Sequence, residues 1–455
     1  MNIYIEIEVF DREFKSRLLL ASYAAYKNFN VYLMHRSEIH DLALKNKIAP
    51  GIIFMKDVNS TREIYQIIKS LKKKGFIFTA QDEEAGILYD DYNDFVKRRF
   101  ADGKSFQLLE YFFCWGKRDL DILTKKFKNI TKFVDIGSPR IDLLNRKFYK
   151  QKNIKKFYKK FNLKKYILIA SNISWPIGFR RIPDAYFGII SDTKSNLEWK
   201  EDFFFNVNIQ QLTILKYYIR LIRYLLKHQN KYTIVVRPHP TERVEDWKKM
   251  IGSKDKKLKI IKEHNLSEFI FNSEIIIQNG CTSSIEAKIL GKKTISFEPV
   301  KFNINYGRKL PNKLGKLCTN NIEVLKVIKN INNENFKTNK KFINELRYRL
   351  SFNDKMLSSI KIVNIFNTLK SKISNNENYF NYKKNFFKQR IKIIIKKIIY
   401  KIIKFKKEPS IFEEKFPVLK ISEIEAYKKE FEVFDKELKT VKYKIISDRI
   451  IKVYN

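Results

Sequence analysis

Short apolar runs alternate with stretches whose apolar positions recur every three to four residues, from the N-terminus to about Lys340. "IYIEIEV" (Ile3 to Val9) predicts a strand, "REFKSRLLLASYAAYKNF" (Arg12 to Phe29) a helix, and "VYLMH" (Val31 to His35) the next strand. Further strands are predicted at Gly51 to Met55, Gly75 to Gln81, Tyr111 to Gly116 and Lys132 to Arg140. Strands alternating with helices imply a parallel sheet covered on both faces, so this region predicts one doubly wound, Rossmann-like α/β unit over residues 1–150.

A basic helical stretch, Lys147 to Lys165, precedes a second set of strands: Tyr166 to Ser171, Tyr232 to Pro238, Leu258 to Lys262, Glu274 to Asn279 and Lys293 to Pro299. That set predicts a second Rossmann-like unit over 151–345, interrupted by an aromatic, polar insertion between Ile173 and Gln210 that has no assigned role. Ligands of such sheets bind outside the carboxyl ends of the strands, so two tandem units predict a cleft between them as the active site. Residues 346–455 predict a helical, basic extension. Within it, 381–407 holds eleven Lys and Arg and no acid, and Ile391, Ile394, Ile395, Ile398, Ile402 and Phe405 share one helical face. Such a helix can lie on an anionic membrane, or pack its stripe on its own domain.

Composition adds limits. The 92 basic side chains exceed the 49 acidic ones to give +43, which points to an anionic partner or to a lysine-rich composition of the kind an AT-rich genome encodes. The aromatics fall in strand-like apolar runs without an RNA-binding signature, so no nucleic-acid partner is expected. Cys114, Cys281 and Cys318 lie far apart, and with five scattered histidines they predict a reduced chain with no metal site. The opening strand with Glu6 and Glu8 is unlike a signal peptide, and no 18-residue apolar run occurs, so a cytoplasmic or membrane-peripheral protein is expected.

Three constellations can carry chemistry. "FTAQDEEAG" places Asp82, Glu83 and Glu84 just after a strand, where mutual repulsion can lift one carboxyl toward the range of a general base. "TIVVRPHPTE" ends a strand on Arg237 and holds His239 between Pro238 and Pro240; the ring can donate to a phosphate or ribose oxygen while Arg237 adds charge-assisted bonds. "IIIQNGCTSSIEA" follows a buried-type strand with a Gly280 turn and a helix opened by Thr282, Ser283 and Ser284, which suits a phosphate. Glu286 is placed to reach a ribose hydroxyl, or, alternatively, to close a capping box with Ser283.

Together these motifs resemble the bacterial sialyltransferase, polysialyltransferase and Kdo-transferase group of GT-B glycosyltransferases. Glu83, Glu84 and Gly86 match that group's acid-acid-Gly general-base motif. His239 and Pro240 match its His-Pro motif, and Thr282, Ser283 and Ser284 its Ser/Thr motif for CMP. Ala85 separates the acids from Gly86, leaving open which acid aligns with the base. Over residues 1–340 the chain more closely resembles bacterial surface carbohydrate (surface polysaccharide) biosynthesis proteins, through "EIEVFDREFKSRLLLASYAA", "GSPRIDLL", "RPHPTE" and "GCTSSIEAKILGKKTISFEP".

The resemblance implies a GT-B-like enzyme that transfers an acid sugar from a CMP-activated donor to a glycan or glycolipid acceptor with inversion, without an added cofactor. Its rivals are a CDP-glycerol or CDP-ribitol polyol-phosphate transferase, a UDP-sugar transferase or UDP-GlcNAc 2-epimerase-like enzyme, and a basic membrane- or nucleic-acid-binding protein without catalysis.

Overall fold

The computed structural model describes the chain except residues 59–61, 85, 101–102, 151–153, 179–181, 183–185, 187–196, 264, 303–308, 353–355 and 373–414. The amphipathic stretch at 381–407 therefore lies outside the described residues, as does part of the 173–210 insertion. The chain forms two compact units. One comprises Met1–Ile87, Asp91–Phe148 and Arg347–Asn455; the other comprises Leu88–Asp90 and Tyr149–Leu346. Both are Rossmann-like α/β units.

In the first unit, β1 (Asn2–Ile7), β2 (Asn30–His35), β3 (Ile52–Met55), β4 (Ile77–Ala80), β5 (Tyr111–Cys114) and β6 (Lys132–Asp135) form a parallel sheet in the order β2-β1-β3-β4-β5-β6. β3 and β4 are buried at every position, because helices cover both faces and leave no polar side to alternate with. The second unit contains β7 (Tyr166–Ala170), β8 (Thr233–Arg237), β9 (Leu258–Ile260), β10 (Ile275–Gln278), β11 (Thr294–Phe297) and β12 (Lys316–Cys318). They pair in parallel in the order β12-β11-β10-β7-β8-β9, so the order reverses between β7 and β10. Its core joins Ile167, Ile169, Ile234 and Val236 of the sheet to Tyr218, Leu221 and Ile222 of the 32-residue helix Leu197–His228, and to Trp247.

The C-terminal region departs from the helical extension read from sequence. The helix Ile421–Phe434 is there, but the chain ends in an antiparallel hairpin, β13 (Lys442–Ser447) and β14 (Ile450–Tyr454). β14 adds antiparallel to the edge strand β2 through Ile451 opposite Leu33 and Val453 opposite Val31, so the first sheet has eight strands. The return of the chain is anchored in the "GSPRIDLL" segment. Gly137 has φ +86°, and a Cβ there would lie 2.2 Å from the Ser351 carbonyl oxygen. Asp142 accepts from the Ser358 and Ser359 N–H groups at 2.8 and 2.7 Å, capping the helix Ser358–Thr368. Among the described residues no helix is long and apolar enough to cross a membrane.

Candidate functional site

The three acids after β4 have different fates. Asp82 is buried; its Oδ2 accepts from Arg99 Nε at 2.7 Å and its Oδ1 from the Glu84 N–H at 2.8 Å, fixing the turn. Burial raises its carboxyl above the ordinary range, with Arg99 opposing. The cause is desolvation and not repulsion between sequence neighbours, which corrects the expectation for this cluster. Glu83 is buried too, bonded at 2.5 Å through Oε1 to Arg17 Nη2, whose guanidinium is fully enclosed and stacks 4.1 Å from the Phe54 ring. Its Oε2 lies 3.8 Å from Arg140 Nη1.

Glu84 differs. Its side chain is 49% exposed and accepts from Arg12 Nη1 at 3.0 Å. Partial burial would raise its pKa, but Arg12, Arg99 and Lys56 outweigh that and hold it below the usual carboxylate value. Of the three acids, it is the one whose carboxylate reaches solvent. Arg118 and Arg349 fix the far side of the turn by donating to the Gly86 and Ile87 carbonyls at 3.0 and 3.1 Å.

Between β1 and β3, where the first sheet reverses its order, lies an ionic cluster to which the sequence reading gave no role. Glu6 is fully buried, bonded to His40 Nε2 at 2.9 Å and to the Lys56 N–H at 3.1 Å. Burial alone would raise its carboxyl, yet Arg36 and His40 hold it down at about 2. Arg36 bonds Asp57 at 3.1 Å, and Glu8 pairs with Lys56 and with Lys415, the latter at 3.0 Å. These residues come from β1 and the turn after it, the helix Arg36–Leu44, the turn after β3 and the C-terminal region, so no local motif announces them.

In the second unit the loops after β7, β8 and β10 are tied together at the carboxyl edge of the sheet. His239 stands in the turn after β8, with Pro238 buried and Pro240 exposed beside it. The Thr241 N–H points at its Nδ1 at 3.3 Å and the Thr241 hydroxyl lies 2.9 Å away. A backbone N–H can only donate, so Nδ1 accepts, which in the neutral form of the ring leaves its proton on Nε2.

Arg237 also takes part in holding the fold. It is buried, donates to the Ile261 and Glu263 carbonyls at 3.0 and 2.7 Å, and stacks 4.6 Å from the Phe269 ring. Both bonds leave from Nη1 and tie β8 to the segment after β9.

Glu242, two residues beyond Pro240, is the residue that sequence reasoning missed. It is fully buried and accepts from the Ser171 hydroxyl (2.9 Å), the Ile173 N–H (2.7 Å) and Trp247 Nε1 (2.9 Å). Burial raises its carboxyl, and the Trp247 and Ser171 bonds pull the other way. The signal available was an acid closing "RPHPTE" five positions before a tryptophan. Asn172, next in the β7 loop, donates to the Asn279 carbonyl at 2.9 Å, joining that loop to the turn after β10.

That turn is held by side-chain amides. Gly280, at φ +57°, donates its N–H to Asn312 Oδ1 at 2.6 Å, and the Cys281 N–H donates to Gln278 Oε1 at 2.9 Å. The capping box is not formed. Thr282 precedes the helix Ser283–Ile289 with helical backbone angles and no side-chain cap, and Glu286 accepts from Ser267 on the neighbouring helix at 2.8 Å. Ser284 donates back to the Cys281 carbonyl at 3.1 Å. The Ser283 hydroxyl is buried and, among the described residues, has no hydrogen-bond partner.

The structure thus brings His239, through the Ser171–Asn172 loop, into one bonded network with the Asn279 to Ser284 turn. Asp82, Glu83 and Glu84 belong to the other unit.

Two Rossmann-like units with bonded loops at the carboxyl ends of their strands define the architectural class. No family model and no curated protein sequence matches the chain. Solved structures of similar fold include the UDP-GlcNAc 2-epimerase of Methanocaldococcus jannaschii, with 14% identity and a TM-score of 0.48 over 81% of this chain and 100% of that one. A putative UDP-N-acetylglucosamine 2-epimerase of Listeria monocytogenes shares 12% identity and a TM-score of 0.49 over 83% and 99%. The wall teichoic acid polymerase TagF shares 14% identity and a TM-score of 0.48 over 81% and 88%.

Proposed function

We propose that the chain is a nucleotide-sugar-dependent glycosyltransferase of bacterial surface polysaccharide biosynthesis, moving an acid sugar from a CMP-activated donor to a glycan or glycolipid acceptor with inversion. The observation that carries this reading is the network at the carboxyl edge of the second sheet. There His239 and the buried Ser283 hydroxyl flank the point where the strand order reverses, the place at which such sheets bind nucleotides.

In this reading the His239 ring donates through Nε2 to the leaving phosphate, and the Thr282 to Ser284 turn supplies further donors to the charge that develops as the glycosidic bond breaks. Glu84 is the general base. Its ionised carboxylate takes the proton from the acceptor hydroxyl as that oxygen attacks the anomeric carbon, so direct displacement inverts the centre. Asp82 and Glu83 hold the turn that presents it. The enzyme works in the cytoplasm, peripheral to the inner face of the membrane, with 381–407 as the membrane-facing stretch.

The test is a thermal-shift series with CMP, CDP, UMP, UDP and GDP. A ligand at a hundred times its Kd stabilises by about 2.7 kcal/mol, well within reach of the method. Stabilisation by CMP that disappears in His239→Ala supports the reading; preference for UDP rejects the CMP donor, and preference for CDP redirects it to polyol-phosphate transfer. Glu84→Gln should lower kcat by roughly a hundredfold or more while leaving CMP binding and melting temperature unchanged. Full turnover in that variant removes Glu84 from the role.

A further inference from the structure

The long helix Leu197–His228 buries Phe204, Val207, Ile214, Leu215 and Tyr218 against its own unit. Along its other side Phe205, Ile209 and Leu212 are exposed by 53%, 58% and 46%. Their spacing of four and three residues makes one continuous stripe, and Asp202 and Lys216, both exposed, extend it at either end. Single exposed apolar residues are ordinary; three in register on one helix, closed by opposite charges, form a surface with a defined complement.

We infer that this stripe is a self-association face on which a second copy of the chain docks its own helix antiparallel. Ile209 is the midpoint: Asp202 lies seven residues before it and Lys216 seven residues after it, about 10 Å to each side at 1.5 Å per residue. An antiparallel crossing at Ile209 sets Asp202 of each copy against Lys216 of the other, and Phe205 against Leu212. The contact is its own complement under a two-fold axis, as a closed homodimer requires. One helix face is small beside the roughly 1,000 Å² of a stable interface, so the dimer is expected to be concentration-dependent.

Sedimentation velocity of the full chain across ~1 to 100 µM tests this. The expected result is a monomer-dimer equilibrium that Ile209→Asp abolishes and that Asp202→Lys or Lys216→Asp each weakens by roughly tenfold, as two symmetric contacts turn from opposite to like charge. The double variant Asp202→Lys/Lys216→Asp restores association. Wild-type melting temperatures in all four variants exclude unfolding as the cause. A monomer at every concentration overturns the inference, as does a double variant no better than the single ones. Binding of the stripe to anionic lipid vesicles, lost in Ile209→Asp while the protein in solution stays monomeric, likewise overturns it in favour of a lipid surface.

Discussion

Replacing Glu83 by Gln probes the assignment of the three acids most directly, because the structure gives Glu83 a role opposite to that of its neighbour. The Glu83 and Arg17 side chains are enclosed, at 2% and 0% exposure, with oxygen and nitrogen 2.5 Å apart. Two unit charges roughly 4 Å apart interact by about 4 kcal/mol at an effective dielectric of 20. Removing one partner of such a buried pair also leaves the other desolvated without compensation, and the typical cost is about 3 to 5 kcal/mol. At about 2 to 4 °C per kcal/mol, Glu83→Gln should melt roughly 6 to 20 °C lower, with a matching fall in urea midpoint by tryptophan fluorescence. Pairing it with Arg17→Met should recover much of the loss, since an uncharged pair of similar volume leaves no orphaned charge. A Glu83→Gln protein as stable as the wild type, or a double variant as unstable as the sum of the singles, would refute the account of Glu83 as an ion-pair anchor.

Glu242→Ala should cost at least about 3 kcal/mol by urea denaturation, because it strips the Ser171 hydroxyl, Ile173 N–H and Trp247 Nε1 of one shared acceptor; a loss below ~1 kcal/mol would contradict the network. Asp119 is fully enclosed, and burial lifts its carboxyl to about 7, with Arg118 opposing. Its folded pKa exceeds the unfolded one, so the stabilising protonated form is lost as pH rises from about 4 through 7. Unfolding free energy from urea denaturation should therefore decline less over that window in Asp119→Asn, by on the order of a few kcal/mol. Ending the chain after Thr440 removes β13 and β14 and with them the fully buried Ile450, Ile451 and Val453. That should cost roughly 5 kcal/mol or more and leave β2 as an open apolar edge, read as aggregation in light scattering.

The motifs told which stretches bear chemistry without telling which side chains reach it. "DEEAG" reads as three equivalent acids, yet Asp82 turns to Arg99, Glu83 to Arg17, and Glu84 to solvent, because the arginines come from helices remote in sequence. Arg237 stands beside His239 in the motif, but β8 lies next to β9, and its Nη1 donates to the Ile261 and Glu263 carbonyls beyond β9. "SSIE" has the spacing of a capping box, but Ser267 on the neighbouring helix takes the Glu286 carboxylate. In each case a partner distant in the chain outcompeted the local one.

By itself the sequence determined the two Rossmann-like units and eleven of their strands, because apolar runs flanked by amphipathic helices have one stable arrangement, a parallel sheet buried on both faces. It also marked the loops around Glu84, His239 and Ser283, since turns carry Gly, Pro and polar residues for local reasons. Only the tertiary structure decided that the C-terminus returns as β14 along β2. Its short strands, "KYKIIS" and "IIKVY", acquire their meaning from an edge formed over four hundred residues earlier. The ion pairs of Arg17, Arg36 and Lys415 and the bonds of Glu242 were decided there too, because a buried charge or carboxylate takes the partner that folding places beside it, whatever stands next to it in the chain.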